Sequence, residues 1–308
     1  MLLDIVIIII GIYIVLKGAD LLTEGAVSLA QRMNMPEMLI GLTVVAVGTS
    51  MPEFFVSVTS ALQGTTDLAV ANVVGSNIFN VLLIAGVSAV VSPMVISRST
   101  VRRDIPVAVM ASLILLGFGI YGSISRGAGI LFLALLVVYT IYAIRTASPD
   151  ESQMTGRKPY TLLGAIGRIV IGLTGLAVGS DCFVSSATEV AGMLGISEAV
   201  IGLTIVAGGT SLPELATSVV AARKGRSSIA IGNVIGSCVY NILLIIGVTG
   251  IITPMTIEGL SILDFALMMA SITLLWLFSF TKYKVERWEG WLMIAIFACY
   301  LAWLVYNA

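Results

Sequence analysis

Residues 40–58, IGLTVVAVGTSMPEFFVSV, come back at 201–219 as IGLTIVAGGTSLPELATSV. The offset is 161 residues. It holds without a gap through a second pair, ANVVGSNIFNVLLIAGV at 71–87 and GNVIGSCVYNILLIIGV at 232–248, and on to SPMVI at 92–96 and TPMTI at 253–257. It also reaches back to GAD at 18–20 and GSD at 179–181, and about half of the aligned positions are identical. A repeat of this kind sets the organisation of the chain before any single residue is read.

The 308 residues are 58% hydrophobic and 11% charged, with a mean hydropathy of +1.07. Soluble domains carry about 25% charged residues, so this composition belongs to an integral membrane protein whose partner is the lipid bilayer. Apolar runs of about 20 residues recur from end to end, each long enough to cross the hydrocarbon core. The spacing predicts ten transmembrane helices at 2–31, 37–63, 68–92, 103–122, 126–145, 161–192, 198–222, 228–252, 263–281 and 288–306. The longest polar stretch, TASPDESQMTGRKPY at 146–160, is too short to fold alone. The first run, LLDIVIIIIGIYIVL, has no basic residue ahead of it and no small-residue cleavage site after it, so it reads as a retained helix.

A net charge of −1 argues against a nucleic-acid partner. No obligate protein partner is evident and no cofactor is expected. Cys182, Cys238 and Cys299 lie far apart and form no disulfide or metal motif. The chain has no histidine, which excludes His-based catalysis, metal ligation and proton relay.

The basic residues sort by loop. One set of alternate loops holds Arg32; Arg98, Arg102 and Arg103; Arg145, Arg157 and Lys158; Arg223, Lys224 and Arg226; and Lys282, Lys284 and Arg287. The other set holds only Arg126, with the acids Asp67, Glu198 and Glu258. Lys/Arg excess marks the cytoplasmic side, so both termini are expected outside the cell (plasma or inner) membrane. Each half has an odd number of spans, five, so the second must enter the membrane from the opposite side. The expected fold is therefore all-α: ten helices in two inverted-topology five-helix repeats, at 1–148 and 161–308, joined by a cytoplasmic linker at 149–160. In such folds the substrate site lies near the midplane on interrupted helices.

Glu53 and Glu214 fall near the middle of spans two and seven. An ionised carboxylate at the bilayer centre costs at least ~2.5 kcal/mol, and intramembrane acids mark ion pathways. Pro52 and Pro213 precede them directly and are expected to open the turns at Gly48 and Gly209. That exposes carbonyls and the hydroxyls of Thr49, Ser50, Thr210 and Ser211 to a polar cavity. A plain kink satisfied by those hydroxyls is the simpler alternative, but it requires no acid. GSNIFN at 75–80 and GSCVYN at 236–241 add Ser76, Asn80, Ser237 and Asn241, each Ser–Asn pair on one helix face. Helix-to-helix glue is the competing role for these, and the more so for Asn72 and Asn233. Gly75 and Gly236 suit close packing. The donor set is all oxygen, which suits hard cations such as Ca²⁺, Na⁺, Mg²⁺ or Mn²⁺. Two glutamates balance one Ca²⁺ or two Na⁺.

The paired GTS-x-PE and GS-xxx-N motifs, inverted, resemble the two alpha repeats of the Ca²⁺/cation antiporter superfamily, in its Na⁺/Ca²⁺ exchanger branch. The chain looks like a minimal prokaryotic member with a short central loop. The resemblance implies ion ligands at Ala46, Thr49, Ser50, Glu53, Ser76 and Asn80, and at Ala207, Thr210, Ser211, Glu214, Ser237 and Asn241, with the alanines contributing carbonyls. It also implies that the long first and sixth helices slide to switch access. Asn241, where potassium-dependent relatives have aspartate, is similar to the potassium-independent pattern. The Ca²⁺/H⁺ branch has GN-xx-E motifs instead, which favours Na⁺ as counter-ion. The expected function is Na⁺/Ca²⁺ antiport by alternating access. Ca²⁺/H⁺ or broader divalent cation/H⁺ exchange is the alternative, and a cation channel a more distant one. No HExxH or GxGD motif supports an intramembrane enzyme. Asp20 and Asp181 are expected to cap helices or line an aqueous mouth. Asp20 and Glu24 would either draw cations to the cytoplasmic mouth or be solvated.

Overall fold

The computed structural model describes residues 2–146, 159–195, 205, 207–257, 259–280 and 282–307. The helices are α1 (Leu2–Met33), α2 (Glu37–Thr49), α3 (Met51–Leu62), α4 (Thr66–Val91), α5 (Thr100–Tyr121), α6 (Arg126–Arg145), α7 (Leu162–Met193), α8 (Ala207–Thr210), α9 (Leu212–Arg223), α10 (Ser227–Ile252), α11 (Ile262–Phe280) and α12 (Arg287–Asn307). Among the described residues, eight helices are long and apolar enough to cross a membrane. The bent pair α2 and α3, 47° apart, makes nine if counted as one span. The start of the expected span 198–222 lies outside the described residues, as does most of the linker 149–160. α8 and α9 are the described part of that span.

Helices dominate because an apolar surrounding leaves backbone N–H and C=O groups no partner outside their own segment. α4 and α10 form the centre and are mostly buried, whereas α1 and α7 are mostly exposed. Each central helix contains a wider π-helical stretch, at Phe79–Ala85 and Asn241–Ile246, and the two stretches stand nearly at repeat-equivalent positions. Such local widening is common at functional sites.

Four two-residue strands depart from a strictly all-α reading. β1 (Met94–Val95) pairs with β4 (Lys284–Val285), and β2 (Ser123–Ile124) with β3 (Met255–Thr256), both antiparallel. Adding 161 to β1 gives β3 and adding 161 to β2 gives β4. Each ladder thus joins one half of the chain to the other, and the two ladders are equivalent.

α1 and α7 lie antiparallel along their length, and glycines set how close they come. A Cβ on Gly11 would sit 2.9 Å from the Gly179 carbonyl, and one on Gly18 would sit 2.8 Å from the Gly172 carbonyl and 2.9 Å from Leu176 N. Gly11 and Gly18 are the repeat counterparts of Gly172 and Gly179, so the two contacts are one contact seen from each half. Such small-residue seams let membrane helices pack backbone to backbone. Replacing Gly18 with valine should push the pair apart and lower stability by about 1–3 kcal/mol. Gly167→Ala, where a Cβ meets nothing within 4 Å, should leave stability within about 0.5 kcal/mol or raise it. Thermal unfolding of both variants in the same detergent checks this. Equal melting temperatures would show that the seam does not limit packing.

Candidate cation site

Both GTS-x-PE segments break their helices instead of merely kinking them. Ser50 (φ −82°, ψ 7°) and Ser211 (φ −90°, ψ 7°) stand outside helical geometry, and new helices start at Met51 and Leu212. Pro52 and Pro213 fall in the first turn of those helices, where a missing N–H sacrifices no hydrogen bond. The expected opening at the proline is therefore a clean restart two residues earlier. It sets Glu53 and Glu214 in the first turns of α3 and α9, each 1% exposed.

Each glutamate is held by the opposite half. Ser50 Oγ donates to Glu214 Oε1 at 2.8 Å, and Ser211 Oγ donates to Glu53 Oε1 at 2.7 Å. The offset of 161 turns one bond into the other. Ser50 Oγ also lies 3.0 Å from Ser237 Oγ. The other carboxylate oxygens, Glu53 Oε2 and Glu214 Oε2, are buried without a hydrogen-bond partner. So are both amide atoms of Asn80 and Oδ1 of Asn241. Buried oxygens left unpaired are costly, and several of them together make a place for a cation.

Asn72 and Asn233 have a role that spacing did not suggest. Asn72 Nδ2 donates to the Glu53 backbone carbonyl (3.1 Å) and to Ser57 Oγ (2.9 Å), while Asn233 Nδ2 donates to the Glu214 carbonyl (3.3 Å) and to Ser218 Oγ (3.0 Å). They tie the first turns of α3 and α9 to the central helices. Thr49 Oγ1 in turn donates to Asn233 Oδ1 at 3.1 Å. An Asn nineteen residues after a Glu carries no local signal of this. The repeated Glu–Asn spacing in both halves is the only trace.

Of the expected residues, Glu53, Glu214, Ser50, Ser211, Ser237 and Thr49 meet in this buried cluster. Asn241 is buried four residues after Ser237 on α10. Ser76 and Asn80 are buried on α4 beside it. Ala46 is fully buried, and its carbonyl accepts the Ser50 N–H at 3.0 Å. Thr210 is half-buried and Ala207 opens α8. Gly236 does pack closely, since a Cβ there would sit 2.6 Å from the Leu42 carbonyl. Among the described residues nothing lies within 4 Å of a Cβ on Gly75; Leu203, the repeat counterpart of Leu42, lies outside them.

A cavity of about 580 Å³ is lined by Thr49, Pro52, Ser180, Asp181, Thr210 and Pro213 among others. A second, of about 590 Å³, is lined by Glu24, Tyr160, Lys224 and Arg226 among others. Asp20 and Glu24 are neither free nor simply solvated. Lys224 Nζ lies 2.9 Å from Asp20 and 3.6 Å from Glu24, and Arg168 Nε lies 3.8 Å from Glu24.

The chain matches the family model described as "sodium/calcium exchanger protein" over residues 3–145 and 164–306. It therefore belongs to the sodium/calcium exchanger family of membrane transport proteins. It is 31% identical to the sodium/calcium exchanger MaX1 of Methanosarcina acetivorans, over 97% of this chain and 98% of that protein. It is 37% identical to the inner membrane protein YrbG of Escherichia coli K12, over 85% and 83%. Its structure superposes on that of the sodium-calcium exchanger NCX_Mj, soaked with Na⁺ and Ca²⁺, with a TM-score of 0.86, 29% identity and 98% coverage of both chains.

The two Ser–Glu bonds are equivalent by position and should be equivalent in energy. Ser50→Ala and Ser211→Ala should each lower stability by about 1–3 kcal/mol, the range for leaving a buried acceptor without its donor. Unfolding in Ca²⁺-free detergent reads this out. A loss in only one variant would show that the symmetry is geometric and not energetic.

Proposed function

We propose that this chain is a secondary antiporter that exchanges Na⁺ for Ca²⁺ by alternating access at one midplane site. The observation that carries the reading is the pair of buried glutamates. Each has one oxygen gripped across the halves and one oxygen without a partner, beside unpartnered Asn80 and Asn241 oxygens. Glu53 and Glu214 are the central ligands. Thr49, Ser50, Ser76 and Asn80 with the Ala46 carbonyl complete one half of the shell, and Thr210, Ser211, Ser237 and Asn241 with the Ala207 carbonyl complete the other. The two carboxylates balance one Ca²⁺ or two Na⁺, so the ions compete for the same charge. Any further Na⁺ per cycle makes transport electrogenic.

The proposed architecture has ten transmembrane helices in two inverted five-helix halves, 1–148 and 161–308, with a cytoplasmic linker at 149–160. The antiparallel seam between repeat-equivalent α1 and α7 supports the inversion, as does the bent α2–α3 span beside its counterpart α8–α9. Both termini lie outside, on the charge sorting of the loops. α1 and α7 then slide as one pair against the rest. On this reading the cavity beside Asp181 serves the outer side, and the Lys224–Asp20–Glu24–Arg168 contacts stand on the cytoplasmic side. Asn241, an amide and not a carboxylate, makes K⁺ unnecessary.

The test is ⁴⁵Ca²⁺ uptake into proteoliposomes loaded with Na⁺, against identical vesicles loaded with choline, K⁺ or an acidic lumen. Uptake should require internal Na⁺ and ignore K⁺. Glu53→Gln and Glu214→Gln should each lower it to the level of protein-free vesicles. Uptake driven by the proton gradient alone would replace Na⁺ with H⁺, carried by the same glutamates. Native-rate uptake in either Gln variant would remove the site from the mechanism.

A further inference from the structure

The two copies of the second motif differ in the residue three before their shared asparagine. GSNIFN carries Asn77 where GSCVYN carries Cys238. Asn77 was no part of the expected site, yet it is 2% exposed and touches it. Its Nδ2 lies 3.5 Å from the Cys238 backbone carbonyl, and its Oδ1 accepts from Asn241 Nδ2 at 3.3 Å.

These contacts form a directional chain. A backbone carbonyl only accepts, so Asn77 must turn its NH₂ toward Cys238. That leaves Asn77 Oδ1 facing Asn241. An amide oxygen also only accepts, so Asn241 must turn its NH₂ toward Asn77. The Asn241 oxygen is thereby aimed the other way, and it is one of the buried atoms without a partner. A cation needs the oxygen of an amide and is repelled by its NH₂, so the direction of this side chain decides whether Asn241 is a ligand at all. In the repeat, the residue that stands at the position of Asn77 is Cys238, whose thiol is a weak donor and a weak acceptor. Accordingly both amide atoms of Asn80 are without a partner.

We infer that Asn77 is a positioning residue: it locks the Asn241 amide with its oxygen toward the cation, a device that the first half of the site lacks at Asn80. This deepens the exchange reading and rests on it. The site then has one preorganised amide ligand and one that must be ordered by the ion.

The test is equilibrium ⁴⁵Ca²⁺ binding to the purified full chain, which reads the site whichever counter-ion drives transport. Asn77→Ala should weaken Ca²⁺ binding about fivefold, the size of one lost orienting hydrogen bond. Asn77→Leu, which keeps the volume, should do the same. In an Asn241→Asp background either carboxylate oxygen serves, so adding Asn77→Ala should weaken binding by no more than about twofold. An equal loss in both backgrounds would make Asn77 a packing residue and overturn the inference, as would no loss in the Asn241 background. Proton-driven uptake by the wild type would sink the Na⁺ reading while leaving this result standing. A wild type that binds no Ca²⁺ overturns both.

Discussion

Two carboxyl groups are buried inside a bundle of apolar helices, and everything near them answers to that constraint. Each acid needs a donor, and the donor comes from the other half: Ser50 for Glu214 and Ser211 for Glu53. Neither half completes its own acid. The duplication is thus not redundancy, since each copy alone would bury a carboxylate with no hydroxyl on it. The cross-half ladders β1–β4 and β2–β3 and the glycine seam of α1 and α7 hold the halves in the register that this exchange of serines requires.

The symmetry is strict at the backbone and relaxed in chemistry. Gly11/Gly179 mirrors Gly18/Gly172, and Asn72 mirrors Asn233 down to the paired bonds to a glutamate carbonyl and a serine. Two of its breaks change the charge or the hydrogen-bonding groups around the site. Lys224 and Arg226 face Asp20, Glu24 and Glu37 at one mouth, while their repeat counterparts at the other are Gln63 and Thr65. Asn77 stands opposite a cysteine. Two identical faces would give a transporter no preferred side and no distinction between its ligands. The departures are where a direction or a selectivity is built in, on the proposed reading.

Much of this was legible in the chain itself. The gapless offset, the P-E pairs and the polar residues kept at midspan located the helix interruptions and both glutamates, because local chemistry follows local sequence. The pairing was not legible. That Ser50 serves Glu214 and not the nearer Glu53 depends on how the halves dock, which no periodicity encodes. Asn72 and Asn233 read as glue because an amide looks the same whether it ties two helices or steadies a glutamate backbone. Gly236 reads in the motif as a bare small residue, and its use appears only once the halves are docked, where Leu42 brings its backbone against it. The four short strands were invisible at two residues each.

The break at Ser50 and Ser211 also supplies charge of both signs in the right order. Helix N-termini carry partial positive charge and C-termini partial negative charge. α3 and α9 begin at the break, so their positive ends lie under Glu53 and Glu214, which occupy the first turns. That favours the ionised carboxylate in a setting where desolvation opposes it. α2 and α8 end at Thr49 and Thr210, so their negative ends and last carbonyls face the same space. A continuous helix would present neither end. A kinked helix would free one or two carbonyls but leave no N-terminus for the acid. Splitting each helix between its threonine and its glutamate therefore holds an anion and attracts a cation within one turn. On the proposed reading this is why the proline stands directly before the acid in both halves.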